Sequence, residues 1–140
     1  MIATHRFGFA TPAAPDDVWA ALTDPERTPR WLNGLALESD WGEGSAVVLR
    51  HGPSVAVSGE VVAVVPGRRL SLALDGGFGP ATYLTWTVRP GPGGAIVRLV
   101  VDDADPDPAE DGRDLEDAWL PVLARLQDVL AGERRAESRG

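Results

Sequence analysis

The sequence predicts an α+β domain in which a curved antiparallel sheet of about six to seven strands wraps around one long C-terminal helix. Two observations carry this prediction. Apolar residues recur at intervals of three and four from Asp114 to Leu130, as on one face of an amphipathic helix. Between Leu35 and Asp102 the chain instead alternates apolar and polar residues between short glycine and proline turns.

The first elements of the chain are a strand and two short helices. Residues 3 to 10 alternate weakly and predict a first strand. Pro15, followed by two aspartates, suits the first turn of a helix. Pro25 ends that helix and begins a second one, which runs to about Leu32 and is closed by Asn33-Gly34.

The middle of the chain predicts six further strands, joined by turns short enough to make them antiparallel neighbours. Their predicted bounds are Leu35–Trp41, Ala46–His51, Val55–Val65, Arg69–Leu74, Thr82–Arg89 and Ala95–Asp102. One apolar face in most of them predicts a sheet that is covered on one side. The simplest packing has the sheet gripping the last helix, with the two small helices closing one end.

The last helix supplies the cover for this sheet. Its apolar stripe consists of Leu115, Trp119, Val122, Leu126 and Leu130, widened by Leu123 and Val129. Gly132 follows the last apolar residue and is predicted to end the helix. We therefore expect a single domain over residues 1–132, with an acidic linker at 103–112 and a polar tail at 133–140.

Composition excludes several classes of function. A net charge of −8 argues against a nucleic-acid partner, because phosphate binding needs a basic face. No apolar run approaches the ~20 residues that a membrane-spanning helix requires, so no membrane association is expected. The absence of cysteine excludes disulfides and thiol chemistry. Because the N-terminus has no secretory pattern, a cytoplasmic location is the default expectation.

Three segments carry a recognisable order of motifs, VWAALTDPERTPRWL, GEVVAVVPGRRLSLAL and WLPVLARLQDVL. They resemble the START-like (SRPBCC) superfamily and, within it, the branch related to the activator of the heat-shock chaperone ATPase. The residues that match are Val18-Trp19, Asp24-Pro25, Trp31-Leu32, Gly59-Glu60-Val61, Pro66 to Leu70, Trp119, Leu123 and Leu126. The resemblance covers nearly the whole domain. It implies the helix-grip fold, with an elongated cavity that the superfamily uses for lipids, sterols, polyketides and other apolar molecules.

The resemblance and the aromatic content together predict a small hydrophobic or aromatic ligand in this cavity. Five tryptophans in 140 residues are many, and aromatic walls with few polar groups suit a flat apolar molecule. Ordinary core packing is the competing interpretation of each tryptophan. The predicted lining residues are Trp31, Val48, Arg50, Leu72, Phe78, Leu84, Trp86, Leu99, Trp119 and Leu123.

Alternation leaves two orientations open for the strand Ala46–His51. Either Val47 and Leu49 face inward, or Val48 and Arg50 do, and the family resemblance favours the second. An inward arginine would need a partner, and it could hold a ligand carboxylate or phenolate. In the other orientation Arg50 is a surface residue.

The sequence favours binding over catalysis. No nucleophile, base and acid stand at a recognisable spacing, so hydrolysis is not supported. Acid–base chemistry would need a polar group inside the cavity, for which the candidates are Arg50, Ser58, Tyr83 and Thr85. The aspartates of the acidic linker alternate as in a calcium loop, but Pro108 stands where that loop needs glycine. We predict no metal site and no cofactor.

Three functions of different classes compete at this stage. The first is a non-catalytic module that binds or carries a small hydrophobic molecule. The second is an enzyme of the aromatase/cyclase type that acts on a polyketide-like substrate. The third, which the family resemblance implies, is an accessory protein that contacts a chaperone. Exposed strand edges also permit a homodimer.

Overall fold

A computed structural model of the protein describes residues 3–75, 82–103 and 113–139. The strands in these ranges are β1 (Ala3–Thr11), β2 (Ala36–Ser39), β3 (Ala46–His51), β4 (Ser54–Val65), β5 (Arg69–Asp75), β6 (Thr82–Gly91) and β7 (Gly94–Asp103). The helical elements are α1 (Pro15–Thr23), the 3₁₀ turn η1 (Thr28–Arg30) and α2 (Arg113–Arg139). Phe78, which was predicted to line the cavity, and residues 104–112 of the predicted acidic linker lie outside the described residues.

The seven strands form one antiparallel sheet in the order β1-β7-β6-β5-β4-β3-β2. Strands that are neighbours in sequence are neighbours in the sheet from β2 to β7, as their short connections predict. Only β1 pairs with a distant strand, β7. The predicted helix-grip α+β fold is confirmed, and each predicted strand agrees with the structure to within two residues at either end.

The register gives the sheet two chemically different faces. On the inner face, which is turned towards α2, Leu72 of β5 lies opposite Leu84 of β6, and Leu84 lies opposite Val101 of β7. All three side chains are buried. On the outer face the adjacent row contains Tyr83 and Asp102, which are exposed or half-buried. The period-two alternation of these strands therefore separates the core from solvent.

The backbones of β4 and β5 approach each other very closely at Gly59. Gly59 lies opposite Leu74, and a Cβ atom at Gly59 would lie 1.9 Å from the carbonyl oxygen of Ala73. Only glycine permits so close an approach of two backbones. The β4–β5 register also shifts between Val61 and Ala63, as at a β-bulge, which adds local twist. These features allow one continuous sheet to bend around the helix.

Helix α2 lies across the inner face and buries the predicted stripe. Trp119, Val122, Leu123, Leu126 and Leu130 are all at most 5 % exposed. The helix runs through Pro121, whose side chain is exposed. The prediction that Gly132 ends the helix is wrong, since α2 continues to Arg139. The residues after Gly132 include alanine, glutamate and arginine, which are good helix formers and outweigh the cost of one glycine.

The predicted second helix is shorter than expected. It consists of the turn η1 and hydrogen-bonded turns on either side, closed at Asn33 and Gly34, which have φ angles of 52° and 78°. The hydroxyl oxygen of Thr28, which is fully buried, accepts a 2.9 Å hydrogen bond from the backbone N–H of Leu37. This bond fixes η1 to β2 at one end of the sheet.

We predict that Gly59→Ala destabilises the protein, because the added methyl group would overlap the backbone of Ala73. The free energy of unfolding should fall by about 2–3 kcal/mol, as measured by urea denaturation. Gly132→Ala is the matched control, since nothing lies within 4 Å of its added Cβ. It should leave stability unchanged or raise it by up to ~1 kcal/mol. Equal midpoints for the two variants would contradict the close approach.

We predict that Thr28→Val also destabilises the fold, because the buried N–H of Leu37 would lose its acceptor while the shape of the side chain is kept. The expected cost is about 1–3 kcal/mol in thermal or chemical unfolding. Thr23→Val is the control, since the Thr23 hydroxyl only donates to the carbonyl oxygen of Trp19 at a half-buried helix end. A loss as large for Thr23→Val would argue against a special role for the bond to Leu37.

Candidate functional site

The candidate site is an apolar space between the inner sheet face, η1 and α2. Nine residues line it, all of them leucine or tryptophan: Trp31, Leu32, Leu37, Leu49, Leu72, Leu74, Leu84, Trp86 and Trp119. The open volume at its centre is about 10 Å³, which is close to the space of a single water molecule. In this conformation the side chains therefore fill the site themselves.

Two tryptophans form the aromatic wall. The rings of Trp31 and Trp86 lie 5.7 Å apart at 82°, an edge-to-face arrangement. The indole N–H of Trp31 donates a 3.0 Å hydrogen bond to the carbonyl oxygen of Ala21, near the end of α1. That polar group is thus satisfied within the protein, and the ring presents its apolar surface to the space. The same bond ties the segment after η1 to α1.

Helix α2 closes the opposite side of the space. Among the described residues of α2, Trp119 is the one that lines the apolar space, and it is 1 % exposed. Outside the core, the guanidinium of Arg125 donates a hydrogen bond to the side-chain oxygen of Asn33. Because Asn33 follows η1, this bond joins the helix to the segment that carries Trp31. The two sides of the site are therefore connected both inside and outside the core.

The structure brings together half of the residues predicted from sequence. Trp31, Leu72, Leu84, Trp86 and Trp119 line the space. Leu99 and Leu123 are buried in the same core but are not among the lining residues. Phe78 lies outside the described residues.

The orientation of β3 favoured by the family resemblance is wrong. Val47 and Leu49 are buried at 1 % exposure, whereas Val48 and Arg50 lie on the outer face. The Arg50 Nε donates to a carboxylate oxygen of Glu38 at 2.7 Å, and both side chains are about 40 % exposed. The outward orientation follows from the cost of placing a guanidinium in an all-apolar core without a partner.

Four lining residues were not predicted, namely Leu32, Leu37, Leu49 and Leu74. Two of them had a signal in the sequence. Leu74 alternates with Leu72 on the same strand, and Leu49 belongs to the orientation of β3 that was not favoured. Leu37 could not be placed from sequence, because β2 is only four residues long.

The site offers binding surface rather than reactive groups. No described lining residue carries a titratable side chain. The polar candidates for acid–base chemistry lie elsewhere: Tyr83 is 42 % exposed on the outer face, and the Thr85 hydroxyl is 3.1 Å from that of Ser71. Within the described ranges, no group of three or more histidine, aspartate or glutamate side chains could hold a metal ion. What the geometry provides is an aromatic, apolar enclosure.

No helix in the described parts of the chain is long and apolar enough to span a membrane.

A comparison with curated proteins found no match. Solved structures match over most of the chain. DynU16, a protein of the dynemicin biosynthetic locus, is 26 % identical with a TM-score of 0.76, covering 91 % of this chain and 46 % of its own. The chain therefore spans about half the length of DynU16.

Two further structures share the fold at lower identity. CalU16 from Micromonospora echinospora is 22 % identical with a TM-score of 0.68, covering 99 % of this chain and 80 % of its own. The Aha1 dimer from Colwellia psychrerythraea, determined in solution, is 18 % identical with a TM-score of 0.68, covering 94 % of this chain and 96 % of its own.

The family model described as activator of Hsp90 ATPase homolog 1-like protein matches residues 12–131, which run from the end of β1 through most of α2. This range contains α1, η1, most of α2 and six of the seven strands. The chain belongs to the activator of Hsp90 ATPase homolog 1-like family, within the START-like superfamily that its motifs resemble.

Proposed function

We propose that the protein binds a small, neutral, flat apolar molecule between the inner sheet face and α2. The observation that carries the proposal is the lining, which holds three tryptophans and six leucines and no charged side chain among the described residues. A ligand there would gain burial and ring contacts but no ion pair. An ionised ligand would lose its hydration without a compensating partner, so neutral molecules are favoured.

Binding requires the site to open, because about 10 Å³ holds no organic molecule. Leu74 is next to last in β5, so its side chain lies at an edge of the core, where movement can open the space. It also borders a depression of about 330 Å³ whose other lining residues include Glu60, Ala73 and Tyr83 of the outer face. Each ~1.4 kcal/mol of opening free energy would lower the apparent affinity about tenfold.

The similarity to DynU16 supports a small biosynthetic molecule as the ligand class, and the lining and surface of this chain favour binding over the other two functions. DynU16 belongs to a biosynthetic locus and is similar over 91 % of this chain. A cyclase-type enzyme would need a polar group in the site, and the described lining has none that titrates. A chaperone accessory would be favoured by a broad exposed apolar patch. The large exposed apolar residues that the structure describes are instead spread over β4, β6 and α2.

We predict that naphthalene shifts the indole N–H signals of the lining tryptophans in ¹H–¹⁵N NMR spectra. The chain has five such signals, and Trp31, Trp86 and Trp119 should respond because they line the space. Trp19 and Trp41 are internal controls outside it. The ionised analogue 2-naphthoate should bind more weakly by at least about tenfold, because its carboxylate finds no partner. Uniform shifts of all five signals, or tighter binding of naphthoate, would contradict the proposal.

We predict that Leu74→Ala binds naphthalene faster and more tightly, since it enlarges the apolar space at the end of β5 and lowers the cost of opening it. The variant should also lose about 2–4 kcal/mol of stability. Leu126→Ala is the matched control, because it removes an equally buried leucine seven residues beyond Trp119, about 10 Å along the helix. The same gain in Leu126→Ala would mean that general loosening, not the position of Leu74, controls access.

A further inference from the structure

The outer face of the sheet carries an unusual concentration of positive charge for so acidic a chain. All thirteen basic residues are arginine, against twenty-one acidic ones. Five of the arginines project from or beside the outer face of β1, β5, β6 and β7, and all five are exposed. We call them the arginine cluster: Arg6, Arg68, Arg69, Arg89 and Arg98.

The strand register places these residues close together. Arg98 of β7 lies opposite Thr87 of β6, and Thr87 lies opposite Arg69 of β5, so the two arginines are two strand spacings apart, about 9.6 Å. Arg89 is two residues further along β6, about 7 Å from Thr87 on the same face. Arg6 pairs with Val100, diagonally beside Arg98. The three outer-face rows that contain these strand arginines hold no carboxylate.

The backbone that presents the cluster is held by hydrogen bonds. The β4–β5 turn is tight, with Gly67 at a φ of 77° and the N–H of Arg68 donating to the carbonyl of Val65 at 2.9 Å. The carbonyl of Arg68 in turn accepts a 2.7 Å bond from the N–H of Val88. The turn is thereby fixed beside Arg89. Between them lies a shallow groove of about 630 Å³, lined by Val65, Arg68, Arg69, Thr87, Arg89 and Pro90.

The cluster has no acidic partner within the described parts of the chain. The ion pairs recorded there join Arg27 to Asp24 and Arg50 to Glu38, and neither involves the cluster. The exposed guanidinium groups have no described carboxylate within 4.0 Å, so their hydrogen-bond donors are available to an anion. Two acids of the same face, Glu60 and Asp102, lie in the next row, where Asp102 is diagonally beside Arg6 on the side away from Arg98.

We propose that the arginine cluster binds a short acidic segment of a partner polypeptide. In an extended segment, alternate side chains point the same way at intervals of about 7 Å. The diagonal neighbours Arg6 and Arg98 are about 7–8 Å apart, and the long side chains of Arg69 and Arg98 can span the remaining difference. Guanidinium groups bind carboxylates in bidentate pairs. The half-exposed Val65 and Pro90 add apolar contact in the groove.

Other anions fit less well. A single small anion could reach only one or two of five cations spread over four strands. A nucleic acid carries charge continuously over a greater length, so it would extend over the acidic row with Glu60 and Asp102 and be repelled there. The proposal is independent of the apolar site, because the cluster lies on the opposite face of the sheet.

The test is fluorescence anisotropy with a labelled peptide of alternating glutamate and serine, at an ionic strength of about 0.01 M, where the Debye length is ~30 Å. We expect binding that weakens as salt is added, and none to the same peptide with glutamine for glutamate. The double variant Arg69→Gln/Arg89→Gln should bind the peptide at least about tenfold more weakly. The matched control is the double variant Arg30→Gln/Arg50→Gln. It removes the same charge elsewhere and should change the affinity less than about twofold.

Three outcomes would overturn the proposal. The first is absence of binding to the acidic peptide by the unmodified protein. The second is an equal loss in both double variants, which would mean that net charge alone governs binding. The third is tighter binding of a single-stranded oligonucleotide of equal charge than of the peptide. An NMR spectrum of each variant, compared with that of the unmodified protein, separates loss of binding from loss of folding.

Discussion

Burial of the apolar stripe of α2 is the constraint on which the rest of the structure depends. Trp119, Leu126 and Leu130 can leave water only against a broad apolar surface, which one sheet supplies on its inner face. A flat sheet would cover only part of a helix. The close crossing at Gly59 and the shift of register near Val61 provide the curvature that lets seven strands surround it.

The apolar site follows from the same constraint. Between the sheet and α2, tryptophans and leucines from four strands, the segment after η1 and α2 fill the space almost completely. No described lining side chain is charged, so the rearrangement needed for opening exposes no charged lining group. Under the proposed function, selectivity would depend on shape and neutrality, and affinity would depend on the cost of opening as well as on contacts with the ligand.

Much of the fold could be predicted from sequence, because alternation and helical spacing are strong signals in β5, β6, β7 and α2. The inward-facing side of β3 could not be predicted, since Val47, Val48 and Leu49 are all apolar and either orientation satisfies the pattern. In the observed orientation Arg50 pairs with Glu38, which is twelve residues away on another strand. The volume of the site could not be predicted from sequence either, because it depends on how Trp31 and Trp86 pack against each other in three dimensions. The arginine cluster likewise emerges only from the cross-strand register.

The position of β1 has a consequence for how the chain folds. Ala3 pairs with Asp103 and Thr11 with Ala95, so the first strand of the sheet must wait for the last one before it is paired. Contacts of such long sequence separation slow folding, because the intervening chain must first be brought into order. During synthesis on the ribosome, the meander from β2 to β6 can form while Phe7 and Phe9 still lack their partners Leu99 and Val97. The two phenylalanines of β1 therefore stay exposed to mispairing until β7 has been added.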